Sequence, residues 1–115
     1  MPERDFTLYL KDILDSGNAV TEFVKSLSFE EFCNDRKTYS AVIREFEIIG
    51  EAVGKLPDEL KLKCPDVAWQ DIKDFRNLLV HEYFGVDFEI VWKIIQDDLP
   101  GLVSAIRKMI SDHLK

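Results

Sequence analysis

The sequence predicts an all-α fold, an antiparallel bundle of four main helices with short extra helices and a kinked last helix. Three observations carry that reading. Apolar residues recur at helical spacing over most of the chain, no stretch alternates for long with a strand period, and there is no Asn-Gly or Asp-Gly hairpin signal. The apolar fraction of 46% and charged fraction of 32% suit a globular chain that buries a core rather than a disordered one. At 115 residues one domain over residues 1–115 is expected, burying roughly 60–70% of its unfolded surface and needing no disulfide or metal to fold.

Phe6, Leu10, Ile13, Gly17, Val20, Val24 and Leu27 follow by alternating steps of four and three, one stripe down a first helix. "SFEEFC" reads as a short connecting helix. Val42, Phe46, Ile49, Val53 and Leu56 draw the second stripe, which Pro57 ends, with Asp58 placed to cap a short turn. After "CPDVAW", Trp69, Ile72, Phe75 and Leu79 mark another helix. "FGVD" separates it from the last one, with Gly85 able to take φ > 0 and Asp87 to cap. Phe88, Trp92, Ile95, Leu99, Leu102, Ile106 and Met109 line that last helix. Pro100 inside it removes a hydrogen bond to Gln96 and kinks or splits it. The two tryptophans and most phenylalanines fall on these stripes and are expected in the core. His113, with no polar constellation around it, is expected at the surface. Gly50 and Gly54, four apart on one helix face, allow a close backbone approach, either from another helix of the bundle or from a second copy across a two-fold axis.

The net charge of −7 argues against coating nucleic acid by bulk electrostatics, though a small basic cleft on an acidic body remains compatible with it. Cys33 and Cys64 match no zinc or redox spacing. "MPERDFTLYL" lacks a signal-peptide core, and no apolar run reaches the ~18 residues of a membrane span. The expectation is a cytoplasmic protein with reduced thiols and no membrane partner.

One cluster carries chemistry. In "RNLLVHEYFG", Arg76, His81 and Tyr83 fall within eight residues. Arg76 offers a planar fork for phosphate oxygens and for negative charge developing in a transition state. A histidine titrates near neutrality and moves protons. RNA brings its own nucleophile, the 2′-hydroxyl, so a base and a charge stabiliser suffice to cleave it. No carboxylate cluster resembles a metal-dependent nuclease centre, and Glu47 and Glu51 read as a solvated edge. At ~100° per residue Tyr83 lies roughly 20° from Arg76 around a helix, but His81 lies about 140° away. Either the helix tightens or ends near His81, or a second copy of the chain completes the site. A wholly structural role for these polar tips, snorkelling or bonding locally, is the bland alternative.

"RNLLVHEY" resembles the R-x4-H-x-Y motif of HepT-type toxins, a branch of the HEPN superfamily of helical ribonucleases, with Asn77 as the polar residue that often follows the arginine. "FEIIGEAVGKLPDEL" is similar to that family's second-helix signature, and "HEYFGVDFEIVWKIIQDDLPGL" to its passage from the motif into the last helix. The likeness spans nearly the whole chain, most strongly residues 40 to 105. It implies a metal-independent endoribonuclease toxin of a type VII toxin–antitoxin system, active as a homodimer and open to larger assembly with its antitoxin, whose paired motifs line one cleft. It implies Arg76 and His81 as catalytic, Asn77 as supporting, and no cofactor. It also implies an antitoxin of the MntA type, a minimal nucleotidyltransferase that transfers AMP onto Tyr83. A non-catalytic HEPN module that binds nucleotide or nucleic acid beside a nucleotidyltransferase is the alternative, and a plain helical interaction protein a further one.

Overall fold

A computed structural model describes residues 5–81 and 87–113. Helices α1 (Phe6–Val24), α2 (Phe29–Asn34), α3 (Arg36–Gly54), α4 (Asp58–Lys61) and α5 (Trp69–His81) precede α6 (Phe88–Lys93), which runs through a π-helical stretch (Ile94–Asp98) into α7 (Leu99–His113). No strand occurs among the described residues, and none of the helices there is long and apolar enough to cross a membrane. The fold is all-α, as expected.

Local chemistry sets the helix starts. Asp5 accepts from the Thr7 amide at 2.9 Å. Ser28 and Glu31 form a reciprocal capping box at α2. Asp35 caps α3, accepting from the Thr38 amide and hydroxyl, and those bonds hold its carboxyl below the usual carboxylate range. Asp87 accepts from the Glu89 amide at 2.8 Å, as the sequence predicts. Asp58 differs from expectation: it is the first residue of α4, Pro57 takes the cap position, and no side chain caps this turn. Proline suits that place because its fixed φ already matches the entry and the missing N–H has no helical partner there.

Core packing follows the stripes in α1, α3 and α7. Leu10, Ile13 and Val20 meet Val42, Ile43, Ile49 and Val53, and Ile95, Leu102 and Ile106 close over them, all buried in one cluster. α1 packs along α3 and α7, and α3 along α5. Gly17 lets Val103 and Leu99 of α7 approach α1, while Phe6 meets His113 ring to ring at 4.6 Å. Early residues of α1 therefore face late residues of α7, so the two run antiparallel. His113 is exposed as expected, with that aromatic contact added.

Of the two outcomes expected at Pro100, a kink or a split, the split does not occur. The helix widens instead, with the Leu99 amide donating to the Ile94 carbonyl five residues back, just where α-geometry would press the pyrrolidine ring on Gln96. The phenylalanines are mostly not core: of those described, only Phe32 and Phe46 are buried, while Phe23 and Phe88 are exposed. Both tryptophans are only partly buried. Trp69 instead uses its polar edge, its indole N–H shared between the Lys61 and Cys64 carbonyls at 3.1 Å each, which pins the start of α5 to the turn after α4. The stripe of α5 is also incompletely covered, since only Leu79 of that helix is buried.

Two sets of aromatic contacts place the elements around the motif. Phe75 meets Phe46 at 5.4 Å and fixes the roll of α5 on α3. Phe32 of α2 packs on Tyr39, Trp92 and Phe88, which anchors the start of α6. Gly85 and Tyr83, between α5 and α6, lie outside the described residues.

Candidate active site

Arg76 and Asn77 stand mid-way along α5, where the helix crosses α3. A Cβ built on Gly50 would overlap Cβ and Cγ of Arg76. Gly50 is buried and supplies the flat contact that lets the two helices close. One turn on, Lys73 Cε lies 4.0 Å from where Gly54 would carry a Cβ. Gly50 faces Arg76 and Gly54 faces Lys73, so α3 and α5 also run antiparallel. Of the two roles left open for the glycines, packing within the chain is the one seen.

The arginine is held half-buried by this contact. Its Nη1 donates to the Asn77 Oδ1 at 3.1 Å, which turns the guanidinium along the helix. Its Nε is buried and has no partner among the described residues, although such groups are nearly always paired. Around it lies a shallow cavity of about 230 Å³ lined by Gly50, Glu51, Gly54, Lys55, Lys73, Arg76 and Asn77. Neither lysine, nor Arg76, forms an ion pair among the described residues.

A larger cavity of about 590 Å³ lies on the opposite flank of α5, toward α7. Phe46, Ile72, Phe75 and Leu102 contribute to its apolar lining, and Asp66, Asp71, Asp97 and Asp98 surround it. None of the described residues of the motif lines it. Its four aspartates outnumber Lys63 and Lys108, the two lysines in the same lining, whereas three cations face one carboxylate in the smaller cavity, so for a phosphate ligand charge favours the smaller one despite its size.

The sequence-predicted residues are therefore only partly brought together. Arg76 and Asn77 share the cavity. His81 is the last described residue of α5, exposed, and lines neither cavity. Tyr83 lies outside the described residues. Helix α5 separates Arg76 from His81 by its own geometry, as the 100° step requires. Glu51 lines the Arg76 cavity rather than a solvated edge alone, whereas Glu47 pairs loosely with Arg44 at 3.9 Å. Among the described residues no group of three or more His, Cys, Asp or Glu is placed to hold a metal ion. Lys55 and Lys73 were missed by motif reasoning. Their signal was positional, since Lys73 precedes Arg76 by one turn and Lys55 follows directly on the second glycine.

Residues 13–109 match the family model described as Ribonuclease HepT-like. The chain is 39% identical over 112 residues to a protein of Methanocaldococcus jannaschii named "Putative RNase", covering 97% of this chain and 93% of that protein. It is 40% identical over 101 residues to a "Probable ribonuclease HepT" of Thermococcus cleftensis, covering 88% and 92%. No solved structure matches. With that much of the chain matched, this protein belongs to the HepT-like ribonuclease family.

The two glycines should respond differently to alanine. Gly50→Ala forces α5 away from α3 and is expected to cost about 1–3 kcal/mol, as overpacked cores do. Gly54→Ala meets only the far end of a lysine, and is expected to be neutral or to stabilise by up to ~1 kcal/mol through helix propensity. Thermal unfolding followed by circular dichroism separates them; equal losses at both sites would show that the α3–α5 contact is not as close as described.

Proposed function

We propose that this protein is a metal-independent endoribonuclease, the toxin of a toxin–antitoxin pair, cleaving RNA with Arg76 and His81 at a cleft between two copies. The observation that carries the reading is the half-buried Arg76, its Nε buried and unpartnered among the described residues, lining a cavity edged by cations on a chain of net charge −7. The names of the two relatives, "Putative RNase" and "Probable ribonuclease HepT", support the reaction class.

In this reading the 2′-hydroxyl attacks the adjacent phosphorus as His81 of one copy takes its proton. The 5′-oxygen leaves as the P–O5′ bond breaks and receives a proton from His81 of the other copy. Arg76 stabilises the extra negative charge on the non-bridging oxygens. The products are a 2′,3′-cyclic phosphate and a 5′-hydroxyl, with the cyclic ester open to hydrolysis. Two copies are invoked because α5 points Arg76 and His81 in different directions, so one helix does not supply both to one phosphate. Leu78 and Val80 on α5, and Phe88 and Ile90 on α6, are exposed apolar residues near the motif, and burying them would favour such pairing.

Arg76→Ala and His81→Ala are each expected to lower cleavage of RNA by at least ~100-fold, the usual worth of a charge stabiliser or a general base. Helical content should hold, since His81 is exposed and Arg76→Ala keeps the Cβ that meets Gly50. Gel assay of RNA with circular dichroism in parallel decides this, and full activity in both variants would remove the catalytic assignment.

Cleavage is expected to survive EDTA and to leave a cyclic phosphate end. Activity that vanishes with EDTA and returns with magnesium would refute that chemistry.

Regulation in this reading is covalent. An MntA-type nucleotidyltransferase antitoxin transfers AMP from ATP to the Tyr83 hydroxyl, and the added phosphate competes for the arginine contacts RNA needs. Tyr83→Phe should remain active yet escape neutralisation on coexpression, with no adenylyl mass on its peptide. Equal silencing of Tyr83→Phe and wild type would point to inhibition by complex formation instead.

A further inference from the structure

We infer that Lys55 and Lys73 form a second phosphate subsite beside Arg76, holding the phosphate next to the scissile one and so fixing the path of the RNA strand across α3 and α5. The inference rests on the ribonuclease reading and assigns the strand's route within that site.

Charge is the first observation. The chain has 22 acidic against 15 basic residues, yet Lys55, Lys73 and Arg76 line one small cavity in which Glu51 is the one carboxylate among the described residues. None of the three cations is ion-paired among the described residues, although carboxylates are abundant and Lys25 elsewhere closes on Glu22 at 2.7 Å. Three cations against one carboxylate repel one another, and a bound polyanion removes that cost.

Placement is the second. Lys73 stands one turn before Arg76 on α5, a separation of about 5–6 Å between Cβ atoms. Lys55 reaches in from the end of α3, so the cations come from two elements rather than one solvated helix face. Between the lysines the wall includes Gly54, exposed and without a side chain, which lets a sugar–phosphate backbone lie close, while the bare face of Gly50 is taken up by Arg76.

Size is the third. Pockets for drug-sized ligands run about 300–1,000 Å³. A cavity of about 230 Å³ admits a phosphate and part of a ribose, not a nucleotide with its base enclosed. The subsite therefore grips backbone and reads no sequence. The acidic cavity on the other flank of α5 turns the strand toward this side.

The test uses the full-length protein with two RNA substrates: a dinucleotide holding only the scissile phosphate, and an oligonucleotide extending the same step on both sides. For Lys55→Ala/Lys73→Ala, KM for the oligonucleotide is expected to rise roughly tenfold at moderate salt, and the slope of log KM against log salt to fall by about 1. The kcat and its pH profile should not move, and dinucleotide cleavage should be unchanged. Lys55→Arg/Lys73→Arg should restore KM, which a purely structural role would not require. An unchanged oligonucleotide KM, equal losses on both substrates, or no rescue by arginine would overturn the subsite. If wild type cleaves neither substrate, the ribonuclease reading fails separately. Fluorescence anisotropy of the labelled oligonucleotide then decides the subsite: salt-dependent binding that weakens in the alanine variant supports it, and binding indifferent to the lysines refutes it.

Discussion

The contact between Gly50 and Arg76 is the constraint on which the rest of the site depends. Helix α3 has no side chain where α5 crosses it. The backbones therefore close, and the arginine is pressed sideways rather than extended into water. That contact leaves Nε buried, directs Nη1 to Asn77 and opens the small cavity beside the helix. Each feature follows from the missing Cβ. A bulkier residue would separate the helices and free the guanidinium to swing, losing the preorganisation that an anion site relies on.

Because α5 rests on α3 along a narrow seam, it divides the surface into two flanks of opposite character. One holds the basic cavity with Arg76. The other is a wide groove toward α7 with an apolar floor and aspartates around it. The stability of α5 does not come from full burial, since Leu79 alone is buried in it. It comes from fixed points: the Trp69 indole bonded to two carbonyls, the Phe75–Phe46 contact and the glycine seam. A helix held by a few strong contacts keeps its register while leaving much of its surface for a ligand or a second chain.

The last helix solves a different problem. Pro100 cannot donate to a helical carbonyl, yet Leu99 and Leu102 on either side of it are buried. A break would lose that packing. The π-helical stretch absorbs the proline one turn earlier, and the apolar stripe continues unbroken into α7. Such a local widening costs little compared with giving up several buried leucine- or isoleucine-sized side chains at about 1.5–3 kcal/mol each.

Periodicity was enough to determine the all-α fold, the order of the helices and the cores of α1, α3 and α7, because burial on one face is encoded every three or four residues. The local cap at Asp87 was equally legible, since it involves neighbours in sequence. The motif itself pointed to Arg76, Asn77 and His81, and the likeness of its flanks to the HepT-like family held when the chain was compared with known proteins. What the sequence could not settle was which apolar residues would be covered, because that depends on which helices meet. The stripe of α5 looks like any other, yet Ile72 and Phe75 of it are only partly covered and line an open groove. Nor could spacing reveal that Lys55, nearly twenty residues before Lys73 in the chain, would share a cavity with it. Only the antiparallel crossing of α3 and α5 decided that, because it sets Gly54 opposite Lys73 and Gly50 opposite Arg76, a pairing between distant segments that no local pattern records.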